Sequence, residues 1–347
     1  MNVAVRSFAK INLGLYIGAR RADGFHELRT VYQTIALHDV IRVSSGRGSG
    51  IEILCSDPRV PLDSSNTCYR VAERVVERLK PRHRILIEIE KRLPVQGGLG
   101  AASSNAVATM LGMERVLKKQ LAGAERLRIA AEVGSDLPFF LLGGTVLGVG
   151  RGEEVYPLPV LPSLPMVVVT PEVGVSTPAA FAALDVLAEQ SAETVQPQGS
   201  KGRTSLPAGD LGGELTRSGS SDRLIEVGRA LSAWLSRNPE AGAPAKAKSG
   251  GRVGSLLSDL VRAGIENDFE RVVFSQIPEL RDMKRALLRA GSRYASLSGS
   301  GSTLYGLFGT EKAAVKAAQA LRKQGLRATA TRTLTRHEYW SNLSLSH

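Results

Sequence analysis

Residues 94–105 read Pro-Val-Gln-Gly-Gly-Leu-Gly-Ala-Ala-Ser-Ser-Asn and are the most informative part of this 347-residue sequence. Before them, isoleucine occupies every second position from Ile85 to Ile89, which predicts a strand. After them, apolar residues recur at steps of three or four from Val107 to Leu117, which predicts a helix. The stretch is therefore predicted to be a turn that leads from a strand into a helix.

A turn of this composition is suited to bind a phosphate. Glycines allow positive φ and close backbone approach, and the two serines open the helix where unpaired N–H groups favour an anion. Glycine-rich turns with serine caps also occur without a ligand, so the composition alone leaves both interpretations open. The stretch is not a Walker A loop, because no Gly-Lys-Ser/Thr follows, and it lacks the Gly-x-Gly-x-x-Gly spacing.

Composition predicts a soluble globular protein with room for two domains. Hydrophobic residues make up 43% and charged residues 22% of the chain. The formal net charge of +12 favours anionic partners but does not choose between a nucleotide, an RNA and a membrane surface. The low aromatic content of 5% argues against a platform that stacks single-stranded bases.

Several protein classes are not predicted. Cys55 and Cys68 form no CxxC pair, which argues against a structural zinc site or a disulfide framework. No run of 18 apolar residues is present, and Lys10 interrupts the first apolar stretch, so neither a membrane span nor a signal peptide is predicted. We expect a cytoplasmic protein with a small-molecule substrate, no nucleic-acid or membrane partner, and a monomeric or homodimeric state.

Three other segments carry residues that could do chemistry. Lys10 lies in an alternating stretch over 3–18, where a lysine most often extends to solvent from an edge strand but can also meet a phosphate or a carboxylate. An Asp-Gly turn precedes Phe25 and His26, which form either a surface turn or a face for stacking a ring. Asp136 lies between a predicted helix and Pro138, where it is either a cap or a general base.

Taken together, these segments resemble the GHMP kinase superfamily and, within it, the 4-diphosphocytidyl-2-C-methyl-D-erythritol kinase family. The resemblance covers roughly residues 5–188 and 256–334 and rests on segments in the family's order: 9–13, 20–28, 94–104, 134–138 and 143–153. It implies a two-domain α/β (α+β) architecture, with an N-terminal domain like domain 2 of ribosomal protein S5 and a C-terminal sandwich of antiparallel sheet and helices. We predict domains at 1–160 and 161–334, a flexible insertion at about 190–254, and a frayed tail over 335–347.

The resemblance also implies an activity, ATP-dependent phosphorylation of the 2-hydroxyl of 4-diphosphocytidyl-2-C-methyl-D-erythritol, and roles for individual residues. Lys10 and Asp136 are the implied catalytic pair, and Mg²⁺ is expected with ATP, with Ser104 as a candidate ligand but no metal-binding residue assigned. The implied nucleotide-binding residues are Asn66, Pro94, Gly97, Gly98, Leu99, Gly100, Ala101, Ala102, Ser103 and Ser104. The implied substrate-binding residues are Asn12, Phe25, His26, Thr177, Phe181, Gly299, Ser300 and Gly301, with Phe25 and Phe181 stacking on either side of the cytosine.

The chain departs from the family pattern at few positions. Gln96 replaces a small residue, Ala101 and Ala102 replace glycines, and Phe25 stands where tyrosine is frequent. Two alternatives stay open. One is another GHMP kinase that acts on homoserine, mevalonate or a sugar, and the other is a nucleotide- or RNA-binding protein without catalysis.

Overall fold

The computed structural model describes residues 2–81, 83–193 and 265–345. The part of the predicted insertion beyond Glu193 lies outside the described residues. Within the described ranges, no helix has the length and apolar content needed to cross a membrane.

A seven-stranded sheet forms the first half of the molecule, in the order β11-β1-β2-β4-β3, with β5 paired to β2 and β6 paired to β5. The alternation over 3–18 predicts either one strand or a pair of strands interrupted near Ser7. It forms the single strand β1, whose register against β2 shifts between Phe8 and Lys10. The strands are β1 Asn2–Arg20, β2 His26–Gly46, β3 Ile51–Cys55, β4 Arg84–Glu90, β5 Thr145–Gly150, β6 Glu154–Pro157 and β11 Ser344–Leu345.

Helices pack on one face of this sheet around an apolar core. The alternation predicted for residues 85–90 is confirmed, since Ile85, Ile87 and Ile89 are buried against the helices. The helices are α1 Thr67–Leu79, α2 Ala101–Leu117, α3 Gly123–Val133 and α4 Leu137–Phe140. The strand, turn and helix predicted around residues 94–105 thus appear as β4, a loop and α2.

The second half contains a four-stranded antiparallel sheet, in the order β10-β7-β9-β8, with helices packed on it. A core between the two sheets includes Ile11 and Leu13 of β1 together with Met166 and Val168 of the second sheet. The elements are β7 Pro165–Val169, α5 Thr177–Glu193, α6 Glu270–Gln276, α7 Pro278–Arg289, β8 Tyr294–Leu297, β9 Leu304–Leu307, α8 Glu311–Lys323 and β10 Ala328–Arg332.

Two expectations from the sequence are wrong. Residues 44–50 are rich in serine, glycine and arginine, which predicts a hairpin loop. They do not close a hairpin, because β3 pairs with β4 in parallel rather than with β2. Residues 336–345 of the predicted tail are not frayed, since helix α9, Arg336–Asn342, begins with a capping box and β11 pairs with β1. Buried Tyr339 and Leu343 place this segment in the core of the first half.

Candidate active site

Lys10 and Asn12 lie on the same side of β1 because side chains two residues apart on a strand share a face. The ammonium of Lys10 donates to Asn12 Oδ1 at 2.7 Å and lies 3.4 Å from Asp136 Oδ2. Lys10 is only 4% exposed, so it does not extend to solvent as an isolated strand lysine would. Of the two interpretations that the sequence allowed, the structure shows the lysine beside a carboxylate.

Asp136 stands just before helix α4, and its carboxylate makes no capping hydrogen bond to that helix. Its Oδ1 instead accepts from the hydroxyl of Tyr32 at 2.9 Å, and its side chain keeps 30% exposure. Burial, with the nearby Asp136 carboxylate as the next cause, raises the pKa of Tyr32 well above its ordinary value. The Tyr32 hydroxyl therefore stays protonated and donates, which leaves the other carboxylate oxygen turned toward Lys10.

The loop over 94–100 needs glycine at two positions. Gly98 and Gly100 have φ of +75° and +67°, and Gly100 is the residue before α2. A β-carbon at Gly98 would lie 2.0 Å from the Ser298 carbonyl oxygen, and one at Gly100 would lie 2.9 Å from Lys10 Cγ. The Lys10 N–H also donates to the Leu99 carbonyl at 3.0 Å, so the loop lies directly against the strand that carries the lysine.

A cavity of about 300 Å³ opens beside this loop. The first turn of α2 lines it, where helix N–H groups have no intrahelical partner and the helix dipole favours an anion. Asn66 lines it too, while its Oδ1 caps α1 by accepting from the Cys68 N–H. The predicted nucleotide residues in its wall are Asn66, Pro94, Gly97, Gly98, Leu99, Gly100, Ala101, Ala102 and Ser103. This lining fits the phosphates of a nucleotide.

Ser104 lies elsewhere, turned into the protein. It is 2% exposed, and its hydroxyl accepts from the Ser7 hydroxyl at 2.7 Å. Among the described residues there is no group of three or more His, Cys, Asp or Glu side chains that could hold a metal ion. Ser104, the candidate magnesium ligand from the sequence, does not line the cavity.

A second glycine loop, residues 298–303, meets the first across the cleft. The Ser298 hydroxyl donates to the Gly98 carbonyl at 2.9 Å, and the Thr303 N–H donates to the Gly97 carbonyl at 3.2 Å. A β-carbon on Gly299 would lie 3.4 Å from Lys10 Nζ, so this loop also reaches the lysine. The structure thus brings the two glycine loops, Lys10 and Asp136 to one place.

The predicted ring-binding residues are arranged differently from a simple pair of parallel faces. His26 stacks on Phe181, with ring centroids 4.9 Å apart and an interplanar angle of 10°. Phe25 is 51% exposed and lies under the guanidinium of Arg151, 5.0 Å from ring centroid to Cζ. Thr177, at the start of α5, shares a 2.7 Å hydrogen bond with the Ser300 hydroxyl. Stacking of a base between Phe25 and Phe181 stays a prediction.

Two features of the site escaped the sequence analysis. Tyr32 lies in a strand of alternating apolar residues, where the pattern indicates only that an aromatic side chain is buried in the core. Asp39 interrupts the apolar alternation from Ile35 to Val43, which predicts a bend or an exposed position. It is instead fully buried, and its carboxylate accepts from Lys91 Nζ at 2.5 Å and from the backbone N–H groups of Arg92 and Leu93 at 2.7 Å each. It thereby fixes the chain just before the loop, and no local sequence pattern signals a contact between residues so far apart.

Comparison with known proteins gives the family. Residues 66–144 match the model of the GHMP kinases N terminal domain and residues 247–326 match that of the GHMP kinases C terminal domain. The 4-diphosphocytidyl-2-C-methyl-D-erythritol kinase of Solibacter usitatus (strain Ellin6076) is 35% identical over 318 residues, which are 91% of this chain and 84% of that protein. The protein of the same name from Heliobacterium modesticaldum (strain ATCC 51547 / Ice1) is 34% identical over 335 residues, 95% of each chain.

A solved structure agrees with these relatives. The crystal structure of a 4-(cytidine 5'-diphospho)-2C-methyl-D-erythritol kinase superposes with a TM-score of 0.66 at 28% identity, covering 95% of this chain and 98% of that one. The predicted two-domain architecture is thereby confirmed. The chain belongs to the 4-diphosphocytidyl-2-C-methyl-D-erythritol kinase family of GHMP kinases.

Proposed function

We propose that this protein transfers the terminal phosphoryl group of ATP to the 2-hydroxyl of 4-diphosphocytidyl-2-C-methyl-D-erythritol. One observation carries the proposal beyond family membership: a partly exposed carboxylate, Asp136, lies 3.4 Å from the buried ammonium of Lys10, where the two glycine loops meet. A proton acceptor and a fixed positive charge beside a phosphate-binding loop are what phosphoryl transfer to an alcohol requires.

Asp136 is the proposed acceptor of the hydroxyl proton. A tertiary alcohol is a poor nucleophile until its proton has somewhere to go, and a carboxylate within hydrogen-bond reach provides that place. The alcohol oxygen then forms a bond to the terminal phosphorus of ATP, while the bond between that phosphorus and the leaving ADP breaks. The Tyr32 hydroxyl holds Oδ1 of the carboxylate, so Oδ2, on the Lys10 side, is left to face the substrate.

Lys10 is proposed to stabilise negative charge on the phosphoryl group during transfer. Its side chain is pinned by Asn12 and by close packing against Gly100, so its charge needs no rearrangement when the reaction occurs. Bound ATP would supply the phosphoryl group, and Mg²⁺ would neutralise phosphate charge. The N–H groups at the start of α2 would hold the phosphates in the cavity beside residues 97–103.

The remaining residues are proposed to hold the alcohol substrate. Asn12 lies beside Lys10 and would face the methylerythritol part, together with Thr177 and the loop over 299–301 that Thr177 contacts. Phe181 and His26 would contact the cytosine, and Phe25, which is exposed in the ligand-free protein, would contact it from another side.

The test is ADP release by the purified protein with Mg-ATP, with and without 4-diphosphocytidyl-2-C-methyl-D-erythritol. Homoserine, mevalonate and galactose run in parallel. Release with the cytidyl substrate alone is expected. Release with one of the other alcohols would still support the proposed roles of Lys10 and Asp136. It would refute 4-diphosphocytidyl-2-C-methyl-D-erythritol as the substrate. Absence of release with every alcohol, from folded protein that binds ATP, would refute the kinase activity and favour a binding protein.

Replacement of Tyr32 by phenylalanine tests the orientation of the carboxylate. The change removes the hydrogen bond to Asp136 Oδ1, and bonds to charged groups are worth about 1.5–3 kcal/mol. We therefore expect kcat to fall about tenfold or more, with the KM for ATP unchanged, as measured by steady-state ADP release. The matched control is Tyr294→Phe, which removes a partly buried tyrosine hydrogen bond to the Ile265 carbonyl. Equal kcat values in the two variants would contradict the proposed role.

A further inference from the structure

A second cavity lies at the opposite end of α2 from the glycine loop. This distal cavity has a volume of about 440 Å³, and its wall includes Arg115, Lys118, Lys119, Arg126 and Trp340. Helix α2 has 17 residues, and at about 1.5 Å per residue it separates the distal cavity from the nucleotide cavity by about 25 Å. The described walls of the two cavities share no residue. None of the roles derived above uses the distal cavity.

Most of the positive charge in the distal cavity has no carboxylate partner. Glu114, the one acidic residue of the described wall, is 5% exposed and accepts from Arg126 Nε at 2.9 Å, with Arg126 Nη2 2.8 Å from its other oxygen. Lys119 Nζ donates to a backbone carbonyl at 2.7 Å, which is a neutral acceptor. Arg115 and Lys118 pair with no carboxylate among the described residues. Three positive charges therefore line the cavity without a counter-ion.

Trp340 adds a flat apolar surface to the same wall. It is 39% exposed, its indole N–H donates to the Leu142 carbonyl at 2.9 Å, and its ring meets that of buried Tyr339 at an angle of 85°. The indole is thus held in one position with its polar group already paired. No cation–π contact in the described part of the chain involves this ring, although four cations share its cavity. The ring is therefore available to a ligand.

We propose that the distal cavity binds a nucleoside phosphate, with the base against Trp340 and the phosphate among Arg115, Lys118 and Lys119. The dipole of α2 favours cations at its C-terminal end, but it does not account for an exposed indole beside them. A planar base stacks on an aromatic side chain whatever its sequence identity, and the phosphate pairs with the cations. The cavity volume lies within the usual range for small-molecule sites.

Fluorescence of Trp340 reports this binding directly. The chain has two tryptophans, so Trp234→Phe leaves Trp340 as the only one. The probe is inosine 5'-monophosphate, because the proposed catalytic cleft takes adenine and cytosine nucleotides. We expect saturable quenching, and about tenfold or more weaker binding of inosine and of ribose 5-phosphate, measured by competition. No saturable quenching, or equal dissociation constants for the probe and either fragment, would overturn the proposal.

A charge variant tests the phosphate-binding residues. In the same fluorescence assay, Arg115→Gln/Lys118→Gln is expected to raise the dissociation constant of inosine monophosphate about tenfold or more. The matched control is Lys312→Gln/Lys316→Gln, which removes the same charge from exposed positions on helix α8. An unchanged constant in the first variant, or an equal rise in the control, would overturn the proposal.

A second readout does not depend on replacing Trp234. The indole N–H resonance of Trp340 in the otherwise unchanged protein, assigned by comparison with Trp340→Phe, is expected to shift on addition of inosine monophosphate. The shift should be saturable and should give the same dissociation constant as the quenching. A resonance that does not move at concentrations that quench the fluorescence would overturn the proposal.

A single-stranded RNA hexamer distinguishes the two sources of this ligand chemistry. Binding far tighter than that of the mononucleotide, and steeply weakened by salt, would identify an RNA strand as the source. Binding no tighter than that of the mononucleotide would identify the free nucleotide, and both results uphold the site. The outcome is independent of the proposed function, because ADP release depends on a cleft about 25 Å away. Turnover without quenching refutes only the distal site, and quenching without turnover refutes only the kinase activity.

Discussion

Asp136→Asn is expected to reduce turnover by about 10²–10⁴-fold, the usual contribution of general base catalysis. Asparagine has nearly the same shape, and its side-chain oxygen can still accept from the Tyr32 hydroxyl. It cannot take up the proton of the attacking alcohol. The loss should therefore appear in kcat, measured as ADP release at saturating substrates, while the dissociation constant for ATP, measured by calorimetry, stays within about twofold of wild type.

A control separates this effect from loss of charge. Asp282 lies on helix α7 with a 70% exposed side chain and pairs only with neighbouring Arg285 among the described residues. Asp282→Asn removes the same charge and is expected to leave kcat unchanged. A kcat for Asp136→Asn within threefold of wild type would show that Asp136 is not the proton acceptor. Its hydrogen bond with Tyr32 would then have no role in catalysis.

Gly98→Ala is expected to abolish measurable ATP binding and to lower the free energy of unfolding by about 2–4 kcal/mol. The residue has φ of +75°, and the new methyl group would lie 2.0 Å from the Ser298 carbonyl oxygen and 2.9 Å from that of Gly301. Both of these atoms are backbone, so neither can swing aside as a side chain would. The two glycine loops must move apart, which opens the cavity that the nucleotide is proposed to fill.

Thermal denaturation and an ATP titration check this result. The control is Gly123→Ala, at the first residue of helix α3, where a β-carbon would meet nothing within 4 Å. Alanine there is expected to leave ATP affinity unchanged and to raise stability by up to about 1 kcal/mol. Wild-type ATP affinity in Gly98→Ala would show that the loop tolerates the displacement and that the cavity binds ATP in some other way.

Local patterns in the sequence were enough to predict the elements around the site. Alternating isoleucines gave β4, the three-to-four spacing gave α2, and the glycines between them gave a loop that needs positive φ at Gly98 and Gly100. These features depend on neighbouring residues, so a single sequence contains them. The fold as a whole and the pairing of Lys10 with Asp136 depended on resemblance to a family, because nothing local relates residue 10 to residue 136.

Contacts between distant residues were beyond the sequence analysis. Asp39 reads as one charged residue at the end of an apolar run, and only the fold brings it to the main chain of Arg92 and Leu93. The parallel pairing of β3 and the packing of Tyr339 into the first core have the same origin. In both cases a segment contacts another that is distant in the sequence, and neither strand propensity nor hydrophobic periodicity specifies such a contact.

The hydrogen bonds between the two glycine loops also bear on how the protein is made. Ser298 and Gly98 are 200 residues apart in the chain, and β11, from the far end of the described residues, pairs with β1 at Ala4 and Val5. At a synthesis rate of about 5–20 residues per second, the loop over 94–100 waits at least about ten seconds for its counterpart. A nascent chain can therefore form α2 and much of the first core early, but the phosphate-binding geometry matures only when residues 298–303 arrive. Until β11 follows, the part of β1 that pairs with it keeps an open edge, which is where a stalled chain would be most prone to aggregate.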